Sequence, residues 1–272
     1  MKLIETIDRL DRLVLEQAPP TEIRAILSML REQIMSKREL KPLKLETPDK
    51  FKCYLNALWD ELYWANFYYG IFKELSRLHS EHMEAVSFSP HFWSFTLRAH
   101  CQTALVYLHR IYDQNKDSFN LHRFLLTVRE RREIFDSKAV HQRRKNDPHA
   151  SYLIGAIGTL DSVQLDRDIE FSSNANAKVK NLNTWRNKVT FHKDEGELVR
   201  QKPFEDEHPL PFKDIDDLLE GGCQILNRYS QYFDTQKYNC NNLGEWKDVE
   251  FVFDALEHHP DLIRDRAEES TR

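Results

Sequence analysis

Apolar residues in this chain recur every three or four positions and almost nowhere every second one, which confines it to helices joined by short connections. Glycine, the residue that opens tight hairpins, occurs seven times in 272 residues, well below its usual share of about 7%. The fold class expected is all-α. At 40% hydrophobic and 11% aromatic residues, there is ample material for one large core or two small ones.

Leu3, Ile7, Leu10 and Val14 lie at helical spacing, "APPTEIR" interrupts them, and the period resumes from Ile23 to Met35. Residues 1–45 are therefore expected to form a helical hairpin, joined by a proline-bearing linker to a helical domain over 46–272. Phe51 to His82 starts behind Thr47, Pro48 and Asp49, and is too apolar all round for a surface helix. Pro90 opens a second long helix, with Phe92, Phe95, Ala99, Leu105 and Leu108 as expected core and "AVSFSP" as the turn between the two antiparallel helices. Leu121, Phe124, Leu125 and Val128 mark an amphipathic helix. Gly155 to Ser173, with Asp161, Asp166, Asp168 and Glu170, reads as a loop or short helix whose acids fit no metal-loop spacing.

A further helix is expected from Ser172, capped by Ser172, Ser173 or Asn174, with Val179, Leu182, Trp185 and Val189 as its apolar stripe. The next runs through Ile215, Leu218, Leu219, Ile225 and Tyr229 with a bend at Gly221-Gly222, and "DVEFVFDALEHH" supplies the last.

Charge is divided unevenly. Residues 1–196 hold 30 Lys and Arg against 26 Asp and Glu, whereas 197–272 hold 9 against 18, so an anionic partner should meet the first part. Residues 129–145 carry seven Lys or Arg against three acids, either a solvated helix end or, through Arg143, Arg144 and Lys145, an RNA-facing patch. Cys53, Cys101, Cys223 and Cys240 form no paired motif and are expected as buried free thiols. No apolar run approaches the roughly 20 residues of a membrane span and no leader is evident, so the expected location is the cytoplasm, without membrane contact. His79 and His82 sit three apart and could meet on one face, but no further ligands are evident, which argues against a zinc site.

"TWRNKVTFHKDEGE", residues 184–197, gathers the most chemistry. On an ideal helix Arg186 and His192 are separated by about 240° and about 9 Å, so they cannot share a face unless the helix ends or loosens between them. Val189, Thr190 and Phe191 weaken helix propensity and Gly196 suits a left-handed terminus. An arginine grips phosphate bidentately and a histidine titrates near neutrality. In the plain structural reading the pair only decorates a helix end.

"RNKVTFH" resembles the R-x(4–6)-H signature of the HEPN superfamily, in which a polar residue, here Asn187, follows the arginine. "FWSFTLRAHCQTALVYLHRIYDQNKDSFNLHRFL" and "YFDTQKY...DVEFVFDAL" are similar to the AbiU-like branch, associated with abortive infection, over roughly residues 51 to 258. The resemblance implies a HEPN-like helical bundle acting as a metal-independent endoribonuclease, in phage defence or as a toxin, with no cofactor. Arg186, Asn187 and His192 would be catalytic, Asp113 and Lys188 supporting, and two chains would build one composite site about a twofold axis. The implied partners are RNA, a second copy of the chain, and an antitoxin or other regulator. The alternative is a dimeric binding or scaffold module of the same fold that does not cleave.

Overall fold

The computed structural model describes residues 40–185, 209–239 and 248–258. Nearly all of them belong to one compact unit, which comprises the described residues of 42–114 and those from Phe119 onward. Among the described residues there is no strand. The helices are α1 (Pro48–Glu81), α2 (Met83–Ser87), α3 (Pro90–Tyr112), α4 (Leu121–Glu130), α5 (Ser137–Arg143), α6 (Ala150–Ile157), α7 (Ser162–Phe171), α8 (Ala177–Trp185), α9 (Phe212–Asp234) and α10 (Asp248–His258), with a 3₁₀ turn at Arg132–Phe135.

Local chemistry sets the helix starts. Thr47 caps α1 by accepting from the Lys50 amide at 3.3 Å, with Pro48 in the first turn. Asn120 caps α4 through the Arg123 amide at 2.9 Å. The α8 cap falls later than the sequence suggests. Asn176 accepts from the Lys178 amide at 3.1 Å, while Ser172 closes α7 and its hydroxyl donates to the Ile169 carbonyl at 3.0 Å.

Helices α1 and α3 form the largest interhelical contact. Their direction is antiparallel, since Glu61 meets Arg110, Trp64 meets Tyr107, and Tyr68 meets both Tyr107 and His100. The expected face of α3 holds at Leu105 and Leu108, which pack on the main core, but not in the first half of the helix. Phe92 and Phe95 are 59% and 67% exposed and Ala99 is exposed, whereas Trp93, Ala104, Leu108, Ile111 and Tyr112 are buried. Phe253 of α10 stacks on Trp93 at 4.6 Å and so selects that side of the helix. "AVSFSP" is no simple turn either, because residues 83–87 form a helical turn of their own.

The main core gathers Phe51, Leu55, Leu58 and Leu62 of α1, Leu121, Phe124, Leu125 and Val128 of α4, Val179 and Leu182 of α8, and the buried stripe of α9. Residues 155–173 are more helical than expected. Helices α6 and α7 are separated by Gly158, whose φ of +76° favours glycine. Gly221 and Gly222 lie within continuous α9, and their lack of a side chain serves packing. A Cβ on Gly221 would fall 2.3 Å from the Phe171 ring, and one on Gly222 would fall 3.1 Å from Tyr112 Oη.

The expectation of four buried thiols is corrected at two positions. Cys53 is free but exposed, and Cys223 is disulfide-bonded, while Cys101 is free and half-buried. Cys240 lies outside the described residues.

Candidate functional site

Helix α8, which the candidate motif follows in the chain, is fixed at both flanks. Val179 and Leu182 are fully buried, as the apolar stripe requires. On one side Asn183 Nδ2 donates to the Tyr112 carbonyl at 3.1 Å, and to Asn174 Oδ1 at 3.3 Å. On the other, Asn181 Nδ2 donates to the Pro209 carbonyl at 2.9 Å, and Lys178 pairs with Asp214 at 3.4 Å and with Asp217. These bonds tie α8 to the end of α3 and to the beginning of α9.

Tyr112 is the pivot of this junction. Its side chain is fully buried, and its hydroxyl donates to the Leu218 carbonyl at 2.7 Å across the gap left by Gly222. Burial pushes its phenol well above the usual tyrosine range, so it remains a neutral donor. The Tyr112 carbonyl, one of those a helix end leaves without an intrahelical partner, accepts from Asn183 and from Gln114 Nε2 at 3.1 Å. Gln114 also donates to the Ser172 carbonyl at 3.0 Å. Asp113 follows at the α3 C-cap and is buried within the same junction.

Arg186, Asn187, Lys188 and His192 lie outside the described residues. In the chain, Arg186 follows directly on Trp185 of α8.

The three basic residues read as an RNA-facing patch sit in different settings. The Arg143 guanidinium donates to the Phe233 carbonyl at 2.7 and 3.0 Å and to the Ile134 carbonyl at 2.5 Å, and stacks over the Phe233 ring at 4.0 Å. Burial lowers its pKa from the ordinary arginine value, with Asp234 opposing that shift. Arg144 donates to the Asp234 carbonyl at 3.0 Å and pairs with Asp147. Both therefore satisfy carbonyls at the C-terminus of α9, where the helix dipole favours cations. Lys145 is the exposed member.

The two histidines of "HSEH" part company. His82 Nδ1 meets Glu257 Oε1 at 2.5 Å and its ring lies tilted against Phe253, whereas His79 lines a cavity together with Trp185. Among the described residues no group of three or more His, Cys, Asp or Glu side chains is arranged to hold a metal ion. Asp168 belongs instead to a buried network with Gln164, Arg228 and Tyr229. The sequence did not reveal Asn183, Gln114 and Tyr112 as the residues that join α8 to the ends of α3 and α7. The asparagines at 174, 176, 181 and 183 were the available signal, since amides on a short helix reach neighbouring carbonyls.

An all-α bundle in which the R-N-K-V-T-F-H sequence follows a short helix in the chain is what a HEPN-type domain calls for. Residues 48–249 match the model of the AbiU2 family of HEPN domains, and the chain belongs to that family. No curated protein and no solved structure gives a significant match. Among the described residues no helix is long and apolar enough to cross a membrane.

Proposed function

We propose that the protein is a metal-independent endoribonuclease of the HEPN type, acting in phage defence by abortive infection or as a toxin. The observation that most supports this reading is membership of the AbiU2 family in a chain that carries the R-N-K-V-T-F-H sequence over residues 186–192.

The chemistry is an in-line displacement on RNA. The 2′-oxygen forms a bond to phosphorus as its proton passes to a histidine base, and the bond from phosphorus to the 5′-oxygen breaks as that oxygen gains a proton from an acid. His192 and His192 of the partner subunit supply base and acid, and Arg186 stabilises the charge on the phosphorane. The products are a 2′,3′-cyclic phosphate and a free 5′-hydroxyl. Asn187 orients the phosphate, with Asp113 and Lys188 in support. A composite site requires a homodimer, and a lethal activity calls for an antitoxin or other regulator.

Total RNA incubated with purified protein in EDTA tests the proposal. Cleavage yielding cyclic phosphate ends is expected, lost in Arg186→Ala and in His192→Ala while circular dichroism stays unchanged. Strict Mg²⁺ dependence with 5′-phosphate products would overturn the mechanism. The alternative, a scaffold that does not cleave, draws on the exposed Phe88, Phe92 and Phe95 of the α2–α3 corner, which suit a binding face. It predicts intact RNA in the same assay.

A further inference from the structure

Helix α3 carries two apolar faces. One turns to the interior, where Trp93, Ala104, Leu108 and Ile111 are buried. The other looks into solvent. Phe92, Phe95, Thr96, Ala99, Thr103 and Val106 fall within an arc of about 100° on the helix, and no charged residue interrupts them. An apolar stripe of that width is what a helix normally turns toward a core. Here Phe92 and Phe95 are 59% and 67% exposed, and Ala99 is exposed between them and the half-buried Thr103. Alongside runs the seam with α1, where Tyr107 meets Trp64 and Tyr68, and where Tyr63 and Trp64 are each 40% exposed.

The exposed area is large enough for a specific contact. A whole aromatic side chain offers roughly 200 Å², so Tyr63, Trp64, Phe92 and Phe95 leave roughly 400 Å² per protomer in water. Two copies meeting through these rings alone would cover about 800 Å², and the half-exposed stripe and seam around them bring the total to the roughly 1,000 Å² that a biological interface needs. Burying the centre of the stripe strands no hydroxyl at position 103. The Thr103 hydroxyl already donates to the Ala99 carbonyl at 2.8 Å within the helix.

The shape of the stripe selects its occupant. It is bulky at Phe92 and Phe95, narrow at Ala99 and Thr103, and ends on Val106, Tyr107 and the exposed Arg110. An antiparallel copy of the same helix fits this profile. With a twofold axis between Ala99 and Thr103, small side chains meet at the centre and the backbones approach closely. Phe95 then falls on Tyr107 of the partner subunit, and Phe92 on Arg110 of the partner subunit, a cation over a ring. Each contact is made twice, as an isologous interface demands. We infer that two copies of this chain pair antiparallel through the outer face of α3, with the α1 aromatics beside it. The inference deepens the homodimer of the ribonuclease reading and rests on that reading for why two copies meet. It also accounts for a sequence in which Phe92, Phe95 and Ala99 read as core, because in the pair they are core.

Analytical sedimentation of the full-length protein, without RNA, tests the pairing apart from cleavage. The wild type should be dimeric at about 10 µM. Ala99→Arg sets two cations at the centre of the contact and should weaken pairing at least about 100-fold. Thr103→Glu should do the same with two anions. An equimolar mixture of the two variants should recover dimer, because the new charges then oppose each other across the axis. Ala99 is exposed and Thr103 half-buried, so far-UV circular dichroism should be unchanged in both. A wild type still monomeric at about 50 µM overturns the inference and leaves the face to a partner of other chemistry. A dimer that Ala99→Arg leaves intact overturns it even if total RNA is cut, and variants that stay apart when mixed overturn the antiparallel register. Pairing lost in each variant and regained in the mixture supports it even if the wild type leaves total RNA whole, in which case the ribonuclease reading is the one that fails.

Discussion

Replacing Asp168 by alanine should unfasten α7 from α9, and the contacts of that carboxylate give the size of the effect. Asp168 is 4% exposed. Its Oδ1 accepts from Gln164 Nε2 at 2.9 Å, and its Oδ2 accepts from Tyr229 Oη at 2.8 Å and from Arg228. The three donors fare differently once the acceptor is gone. Gln164 is partly exposed and reaches water, so its loss costs little. The Arg228 side chain is 27% exposed and rehydrates in part, which limits its contribution to about 1 kcal/mol. Tyr229 is fully buried, and a stranded hydroxyl costs about 1–3 kcal/mol. The expected destabilisation is about 3 kcal/mol, at the lower end of the range for a broken buried pair. Urea unfolding should show it as a lower midpoint at an unchanged m-value. Because much of the cost is the stranded hydroxyl, Tyr229→Phe should relieve it, with a coupling of about 1.5 kcal/mol in a double-mutant cycle. Additivity within about 0.5 kcal/mol would refute the assignment of the cost to Tyr229.

Burial raises the phenols of Tyr112 and Tyr229 above the ordinary tyrosine value, in Tyr229 with the Asp168 charge adding to the shift. Their stabilising effect is complete below the unfolded value of about 10 and is lost as pH rises beyond it, where the unfolded chain alone releases these protons. Unfolding midpoints should therefore fall above about pH 10, less steeply in Tyr112→Phe. Thr235 ends α9 with φ of 60°, a left-handed conformation costly for a β-branched residue. Thr235→Gly should raise stability by about 1 kcal/mol in the same denaturation assay. Arg143→Ala should cost about 2 kcal/mol in stability through the lost carbonyl bonds and ring stacking. Lys145→Ala should leave stability unchanged and lower the salt dependence of RNA binding by about one counterion, measured by titration at several ionic strengths. Residues 1–45 are proposed as a helical hairpin, yet the Leu43 amide donates to Thr127 Oγ1 at 2.8 Å and Leu45 is buried in the main core. A chain starting at residue 42 should keep its unfolding midpoint, whereas one starting at 47 should lose about 2 kcal/mol.

Elements with a single apolar stripe and an unambiguous cap were legible in the sequence. Thr47 with Pro48 located the start of α1, and Leu121, Phe124, Leu125 and Val128 named the buried face of α4. The α3 helix was not legible in its first half. Phe92, Trp93 and Phe95 point around the helix, and only the partner ring of Phe253 chooses Trp93 for the core. Ser172, Ser173, Asn174 and Asn176 are all capable of capping α8, and the choice is tertiary, because Ser172 already closes α7. Gly221 and Gly222 were read as a bend, since nothing local reveals that Phe171 and Tyr112 approach them.

The same reasoning separates the two halves of the candidate site. The resemblance of the 186–192 segment to the HEPN signature marks Arg186 and His192 as the proposed site, and their residue types suit phosphate chemistry near neutrality. Their support cannot be found in that way. Asn183 and the Tyr112 carbonyl are 71 residues apart, and Arg143 is 90 residues from the helix end it caps. A positive charge in "HQRRK" reads alike whether it faces RNA or a carbonyl, until the distant helix terminus is known. Substitutions of the framework should therefore look unlike those of the motif. Asn183→Ala should lower cleavage through misplacement while leaving its pH profile in shape, whereas His192→Ala removes the titrating group and the profile with it.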